Sequence, residues 1–147
     1  MTTVVSPASS PIPVYNRSGE TIVSLTGGNV SSGNPIGNDG VSIPRYSGRT
    51  VALMTPQSGA DGFVGVVVLP SDAEIGDVVE VFCVAESSGS GMVAVFPPVS
   101  SSIGVLSAST GTDSSSYSAV QIGQGRIYRL VSSTNWQGTT GGSGSGN

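Results

Sequence analysis

The carboxylates of Asp72, Glu74 and Asp77 come nearest, by type and spacing, to a chemical site in this sequence. Two carboxylates can act as general acid and base in glycoside hydrolysis, and carboxylates also bind Ca²⁺. The spacing does not match an EF-hand loop, and the flanking Pro70 and Gly76 are typical of a turn. We therefore interpret the three acids as solvated turn residues, and we predict no metal site here.

The residue types that the chain lacks exclude most other catalytic chemistry. Without His there is no Ser-His-Asp triad, no Cys-His pair and no His-ligated metal, and without Lys there is no Schiff base or P-loop lysine. The single cysteine, Cys83, lies within an apolar run, which favours a small buried thiol over a nucleophile. We expect a protein that is not an enzyme and that needs no cofactor.

Aromatic residues offer one further kind of site, a platform on which a sugar could stack. The candidates are Tyr15, Tyr46, Tyr117, Tyr128 and Trp136. Scattered aromatic side chains in a β-protein more often pack in a core or an interface. On that basis we assign four aromatic residues to the core or to a subunit interface: Phe82, Phe96, Tyr128 and Trp136.

Short apolar runs must position these side chains, and Gly, Pro, Ser, Asn and Asp separate the runs. In the stretch from Gly65 to Trp136 the runs are 66–69, 78–84, 92–96, 119–122 and 126–131. Such β-branched runs with turn residues between them predict strands. The run 78–84 is apolar on both faces except at Glu80, so we place it centrally in a sheet. We expect 78–85 to form a hairpin with 92–96, and we expect 123–125 to turn the last hairpin.

The N-terminal half predicts fewer strands. Residues 21–25 alternate so that Thr21, Val23 and Leu25 share one face, and 41–43 and 49–54 are further candidates. Segments rich in Gly, Ser and Asn predict a loop over 26–40 and an exposed excursion over 107–118. Together the runs indicate an all-β fold, a small antiparallel β-sandwich or barrel-like module.

Composition and charge exclude several structural and functional classes. Gly (22) and Pro (9) argue against long helices, and charged residues make up only 10% of the chain, against roughly 25% in typical globular proteins. The net charge of −4 argues against a nucleic-acid partner, because phosphate binding needs a basic surface. No stretch is long and apolar enough for a transmembrane helix, so we expect a soluble protein without a membrane partner.

The first sixteen residues predict an extended N-terminal arm. Their apolar side chains, Val4, Val5, Ile12 and Val14, lie among prolines that forbid a helix, so they can be buried only against another surface. We accordingly divide the chain into a docking arm (1–16), a β-rich part with loops (17–64), a core β-module (65–136) and a flexible Gly/Ser tail (137–147).

The core module resembles a known family. Leu69-Pro70-Ser71, the run 75–81, the run 93–98 that ends in Pro97-Pro98, and the stretch from Gly125 to Trp136 occur in an order similar to that of a β-module of tailed-bacteriophage virion proteins. That family includes capsid decoration proteins, head fibres and tail-fibre tips. The resemblance covers residues 65–136, about half of the chain.

The resemblance implies a symmetric virion component, often a homotrimer, whose N-terminal segment docks on the particle. Our first expectation is a capsid decoration (cement) protein that is synthesised in the host cytoplasm, binds the major capsid protein on the outer head surface and stabilises the capsid. The alternative is a head-fibre or tail-fibre tip that binds a host-surface receptor or glycan through the 107–118 loop and exposed tyrosines. A glycan hydrolase is a third alternative.

Overall fold

The computed structural model describes residues 3–5, 14–17, 19–26, 40–46, 48–55, 63–84, 91–104, 106–108 and 117–138. Within these ranges every regular element is a β-strand, which confirms the all-β prediction. No helix among the described residues is long and apolar enough to cross a membrane.

The described residues form thirteen strands in two sheets. The strands are β1 (Thr3–Val5), β2 (Val14–Arg17), β3 (Glu20–Thr26), β4 (Val41–Ser42), β5 (Arg49–Thr55), β6 (Phe63–Val68), β7 (Val78–Cys83), β8 (Met92–Phe96), β9 (Ser101–Ile103), β10 (Leu106–Ala108), β11 (Ser118–Gln121), β12 (Gly125–Ser132) and β13 (Asn135–Gly138). A nine-stranded sheet has the order β1-β2-β3-β5-β7-β12-β13-β9-β10, and a four-stranded sheet has the order β11-β8-β6-β4.

Both sheets are mixed, which corrects the expected antiparallel arrangement. From β5 to β9 the chain alternates between the two sheets, so β5 and β7 are parallel neighbours in one sheet, as are β6 and β8 in the other. The predicted hairpin of 78–85 with 92–96 is therefore wrong, because β7 and β8 belong to different sheets. The turn at 123–125 also crosses between sheets, and the last hairpin joins β12 to β13 instead.

The main core lies between the sheets. Alternate residues of β5, β7 and β12 point into it, so Ala52, Met54, Val81 and Leu130 are buried together with Val95 of the four-stranded sheet. Burying one such large aliphatic side chain contributes roughly 1.5–3 kcal/mol. The predicted central position of 78–84 is confirmed, because β7 lies between β5 and β12.

Strand β8 is buried on both faces. Val93 and Val95 face the main core, while Ala94 and Phe96 belong to a second cluster on the other side of the four-stranded sheet. The Phe96 ring lies 5.7 Å, centroid to centroid, from the half-buried ring of Tyr117. A continuous apolar run is the sequence pattern expected of such a strand.

The N-terminal arm contributes strands to the nine-stranded sheet. Val4 and Val5 lie in β1, which pairs with β2, and Val14 lies in β2, which pairs with β3. Ile12 is outside the described residues. The expected boundary after residue 16 thus falls inside β2.

The other expected boundaries also divide paired strands. The boundary after residue 64 falls inside β6, and the pairing of β5 with β7 places strands of 17–64 and 65–136 in one sheet. Gln137 and Gly138, which we assigned to the tail, belong to β13; residues 139–147 lie outside the described ranges. Ser118, placed at the end of an exposed excursion, is fully buried in β11.

Candidate interaction surface

The outer face of the nine-stranded sheet, turned away from the four-stranded sheet, carries half-buried apolar side chains. We use "outer face" for the side-chain layer formed by alternate residues of β3, β5, β7 and β12. Strand register brings these residues into rows: Ile22 lies opposite Val51, and Leu53 lies opposite Phe82. The half-buried apolar members are Ile22, Val51, Leu53, Val78, Phe82 and Ile127. Phe82 was expected in the core or an interface, and it lies on this face.

A charged pair lies within the outer face. The Arg49 guanidinium donates from Nη2 to Glu80 Oε2, and its Nε lies 3.6 Å from Glu20 Oε2. Glu80 is the residue that interrupts the apolar run of β7, and its register position opposite Val51 places it next to Arg49. Because Arg49 and Glu80 are both partly exposed, the pair adds little to stability. The two charges of the pair neutralise each other on this otherwise largely apolar part of the face.

The acidic turn performs a structural role. Asp77 Oδ2 accepts hydrogen bonds from Arg45 Nε at 2.8 Å and from the Glu74 backbone N–H at 2.9 Å, and Arg45 Nη2 donates to Glu74 Oε2 at 3.1 Å. The hydrogen bond to Asp77 raises the pKa of Arg45. Burial alone would raise the pKa of Asp77, but the hydrogen bonds from Arg45 and Glu74, with the Arg45 charge, lower it below its usual value.

These contacts confirm the prediction that 70–77 is a turn, which Arg45 braces from outside. Glu74 and Asp77 bind the same guanidinium, that of Arg45. Among the described residues no group of three or more His, Cys, Asp or Glu could hold a metal ion. The Gly76 backbone N–H donates to the Leu130 carbonyl at 2.8 Å, which fastens the turn to β12. Gly76 has φ of 98°, a left-handed conformation that favours glycine.

A cleft of about 440 Å³ opens at one end of the outer face. Four neighbouring strands contribute to it in register: Arg49 on β5 lies opposite Val78 on β7, Val78 opposite Arg129 on β12, and Arg129 opposite Gln137 on β13. Ile127 and the turn residues Gly48, Gly76 and Asp77 complete the lining.

Three large apolar residues are exposed at the end of the molecule where β12 turns into β13. Val131 is 47% exposed, and Ile75 is 67% exposed beside the Gly76–Leu130 hydrogen bond. Val99 is 64% exposed and precedes β9, where the Ser102 backbone N–H donates to the Thr134 carbonyl at 2.8 Å. Singly exposed apolar residues are common on protein surfaces, but their grouping at one end marks a second candidate contact region.

The aromatic side chains that the structure describes do not form an exposed sugar platform. Phe96, Tyr128 and Trp136 are all buried, the last two in the main core. Tyr46 packs partly against that core, and burial raises the pKa of its hydroxyl. The side chain of Tyr15 lies outside what the structure describes.

A buried polar network joins the two sheets, and the sequence did not predict it. Arg126 Nη1 and the Tyr128 hydroxyl both donate to Ser118 Oγ, at 2.6 Å and 2.9 Å. Burial raises the pKa of Tyr128 to about 12, against the smaller lowering effects of Ser118 and Arg126. The alternation of Arg126 with Tyr128 and Leu130 was the available signal, since it places the arginine on the core face.

Cys83 lies in the main core as a free thiol, which confirms the prediction of a buried cysteine. Burial raises its pKa to about 11, so the thiolate is disfavoured at neutral pH.

Comparisons with known proteins give no match. Neither a family model, nor a curated protein, nor a solved structure is significantly similar to the chain.

Proposed function

We propose that this chain is a structural protein of a bacteriophage virion, a capsid decoration protein that binds the major capsid protein on the outer head surface. The observation that carries the proposal is the outer face, a sheet surface with half-buried apolar side chains, on which Arg49 and Glu80 neutralise each other. The resemblance of residues 65–136 to virion β-modules supports the same assignment.

The mechanism follows from the physics of burial. Covering the half-buried side chains of the outer face removes apolar surface from water, at about 25 cal/mol per Å² before the costs of association. A sheet fixed by a packed core presents those side chains without a large ordering cost. Many copies bound around the head would each bridge adjacent capsid subunits, so expansion of the head would have to break many such contacts together.

The N-terminal segment has a specific place in this proposal. β1 is the outermost described strand at one end of the nine-stranded sheet, and one side of its backbone is unpaired among the described strands. An unpaired strand edge can accept a strand from another chain. In the docking role that we assign to Val4, Val5, Ile12 and Val14, the capsid protein would therefore either pair a strand with β1 or cover the unpaired edge of β1.

The test is binding to particles that lack the protein. Leu53→Asp places a charge on the outer face, and Val99→Asp is the matched control at the exposed end near the β12–β13 turn. We expect at least tenfold fewer bound copies for L53D and unchanged occupancy for V99D, with circular dichroism showing that both variants fold. Equal occupancy of both variants would remove the outer face from the proposal. Loss confined to V99D would move the contact to the other region.

A fibre-tip protein that binds a host-surface glycan is the second candidate, and the cleft lined by Arg49, Arg129 and Gln137 favours it. Copy number separates the candidates: hundreds of copies per particle support the head, and a few dozen or fewer support a fibre.

A further inference from the structure

The cleft at the end of the outer face has the size and lining of a small-ligand site. Its volume of about 440 Å³ falls in the range of roughly 300–1,000 Å³ that is typical of such sites. Val78 and Ile127 provide an apolar side, and Arg49, Asp77, Arg129 and Gln137 provide polar groups. Two of the lining residues, Gly48 and Gly76, have no side chains that could fill the space.

The charged residues of the cleft differ in whether they have an ion-pair partner. Arg49 is paired with Glu80 and lies near Glu20, and Asp77 is paired with Arg45. Arg129 is exposed and has no ion-pair partner among the residues that the structure describes. Its guanidinium therefore keeps its donors for a ligand.

We propose that this cleft binds an acidic sugar, a pyranose unit that carries one carboxylate. The Arg129 guanidinium matches a carboxylate with two parallel hydrogen bonds. The Gln137 amide, on the neighbouring strand opposite Arg129, can donate to and accept from ring hydroxyls. The aliphatic side chains of Val78 and Ile127 offer contacts to the C–H face of the ring.

The charges around the cleft favour a ligand with a single negative charge. Asp77, Glu80 and Glu20 lie in or beside the cleft, and each is already close to a guanidinium. A ligand with several negative charges would be repelled by these carboxylates, since Arg129 alone remains to compensate it. A single carboxylate beside uncharged hydroxyls fits this arrangement.

The experiment is an amide NMR titration of the full chain with methyl glucuronide, with methyl glucoside and acetate as separate arms. We expect saturable shifts for the glucuronide at residues 76–78, 127–129 and 137. We also expect at least tenfold weaker binding of the glucoside, which lacks the carboxylate, and of acetate, which lacks the ring. Equal affinity for the glucoside would contradict the role of the carboxylate. Equal affinity for acetate would contradict the role of the sugar ring.

Two variants locate the site. Arg129→Gln should weaken glucuronide binding at least tenfold without changing the melting temperature, because Arg129 is exposed. Arg17→Gln is the control: it removes an arginine from β2, whose backbone position lies four strand spacings, about 19 Å, from Arg129 along the same row of register partners, and it should leave binding unchanged. Equal weakening by both variants would reduce the effect to general charge. Gln137→Ala should weaken binding too, and it provides a second test if R129Q does not fold.

Discussion

Arg126 Nη1 donates a 2.6 Å hydrogen bond to Ser118 Oγ, and this contact joins β12 of the nine-stranded sheet to β11 of the four-stranded sheet. Arg126 is almost completely buried, and a buried charge is tolerated only where polar partners surround it. The Tyr128 hydroxyl donates to the same oxygen, so one serine serves two buried donors.

Ser118→Ala should therefore destabilise the fold. The substitution removes the hydroxyl that accepts from both Arg126 and Tyr128. Because these buried donors lose that acceptor, the free energy of unfolding should fall by about 1–3 kcal/mol. Chemical denaturation measures the change, with the exposed Ser132→Ala as a control that should stay within about 0.5 kcal/mol of the wild type. A stable S118A variant would mean that the network contributes nothing to stability.

Trp136→Ala should be among the most damaging substitutions in the chain. Trp136 is a fully buried residue of the main core on β13, and truncating a buried tryptophan typically costs about 3–5 kcal/mol. Thermal unfolding of W136A against Val131→Ala, a nearly half-exposed residue of the same hairpin, provides the comparison. Equal melting temperatures for the two variants would contradict the burial of Trp136.

Alkaline pH should destabilise the protein in two overlapping windows. Burial raises the pKa of Cys83 from 9.0 to about 11 and that of Tyr128 from 10.0 to about 12. Between its unfolded and folded pKa, each group has lost its proton in the unfolded chain but retains it in the folded chain. The stability that each group contributes is therefore fully present below its unfolded pKa and is lost as pH rises towards its folded pKa. A pKa difference of about 2 corresponds to about 3 kcal/mol for each group.

The measurement is the free energy of unfolding by denaturant between pH 8 and pH 12. Tyr128→Phe should flatten the decline between pH 10 and pH 12, and Cys83→Ala should flatten it between pH 9 and pH 11. If the slopes of both variants equal that of the wild type, other groups cause the loss.

Acid should weaken the turn that Asp77 holds. The pKa of Asp77 is lowered from 3.8, so its contribution is present above that pH and is lost as pH falls through the lower folded value. We expect Asp77→Asn to have a lower melting temperature than the wild type at pH 7, and the difference should shrink below pH 3.8. Asp72→Asn, an exposed acid of the same turn, is the control. A constant difference across this range would exclude ionisation of Asp77 as its origin.

The isolated protein should be an oligomer, and we predict a trimer. Among the described strands, β1 and β10 are outermost in one sheet and β11 and β4 in the other, and association is one way to cover such edges. Sedimentation at tens of micromolar should then give three times the 14.6 kDa chain mass. A stable monomer would contradict this prediction and the symmetric virion role.

Local features of the fold were predictable, because they depend on residues close together in the chain. The apolar runs 78–84 and 92–96 predicted strands where β7 and β8 lie, and Pro70 with Gly76 marked the turn before β7. The partner of each strand was not predictable. An apolar run such as 92–96 is satisfied equally by pairing with β7 and by packing across from it in a second sheet.

The candidate sites were not predictable for a related reason. The polarity of Arg126 suggested no buried role, because its acceptor lies on another strand. The cleft depends on the register that aligns Arg129 with Val78 and Gln137, which no single run encodes.

The alternation of the chain between sheets from β5 to β9 affects how the protein acquires its fold. Neither sheet can be completed from a continuous piece of sequence, since the strands between its members lie in the other sheet. A fragment that ends anywhere in this region would lack strands of both sheets. We therefore expect slow, all-or-none folding, in the millisecond-to-second range typical of chains dominated by distant pairings, with no stable half-molecule along the way.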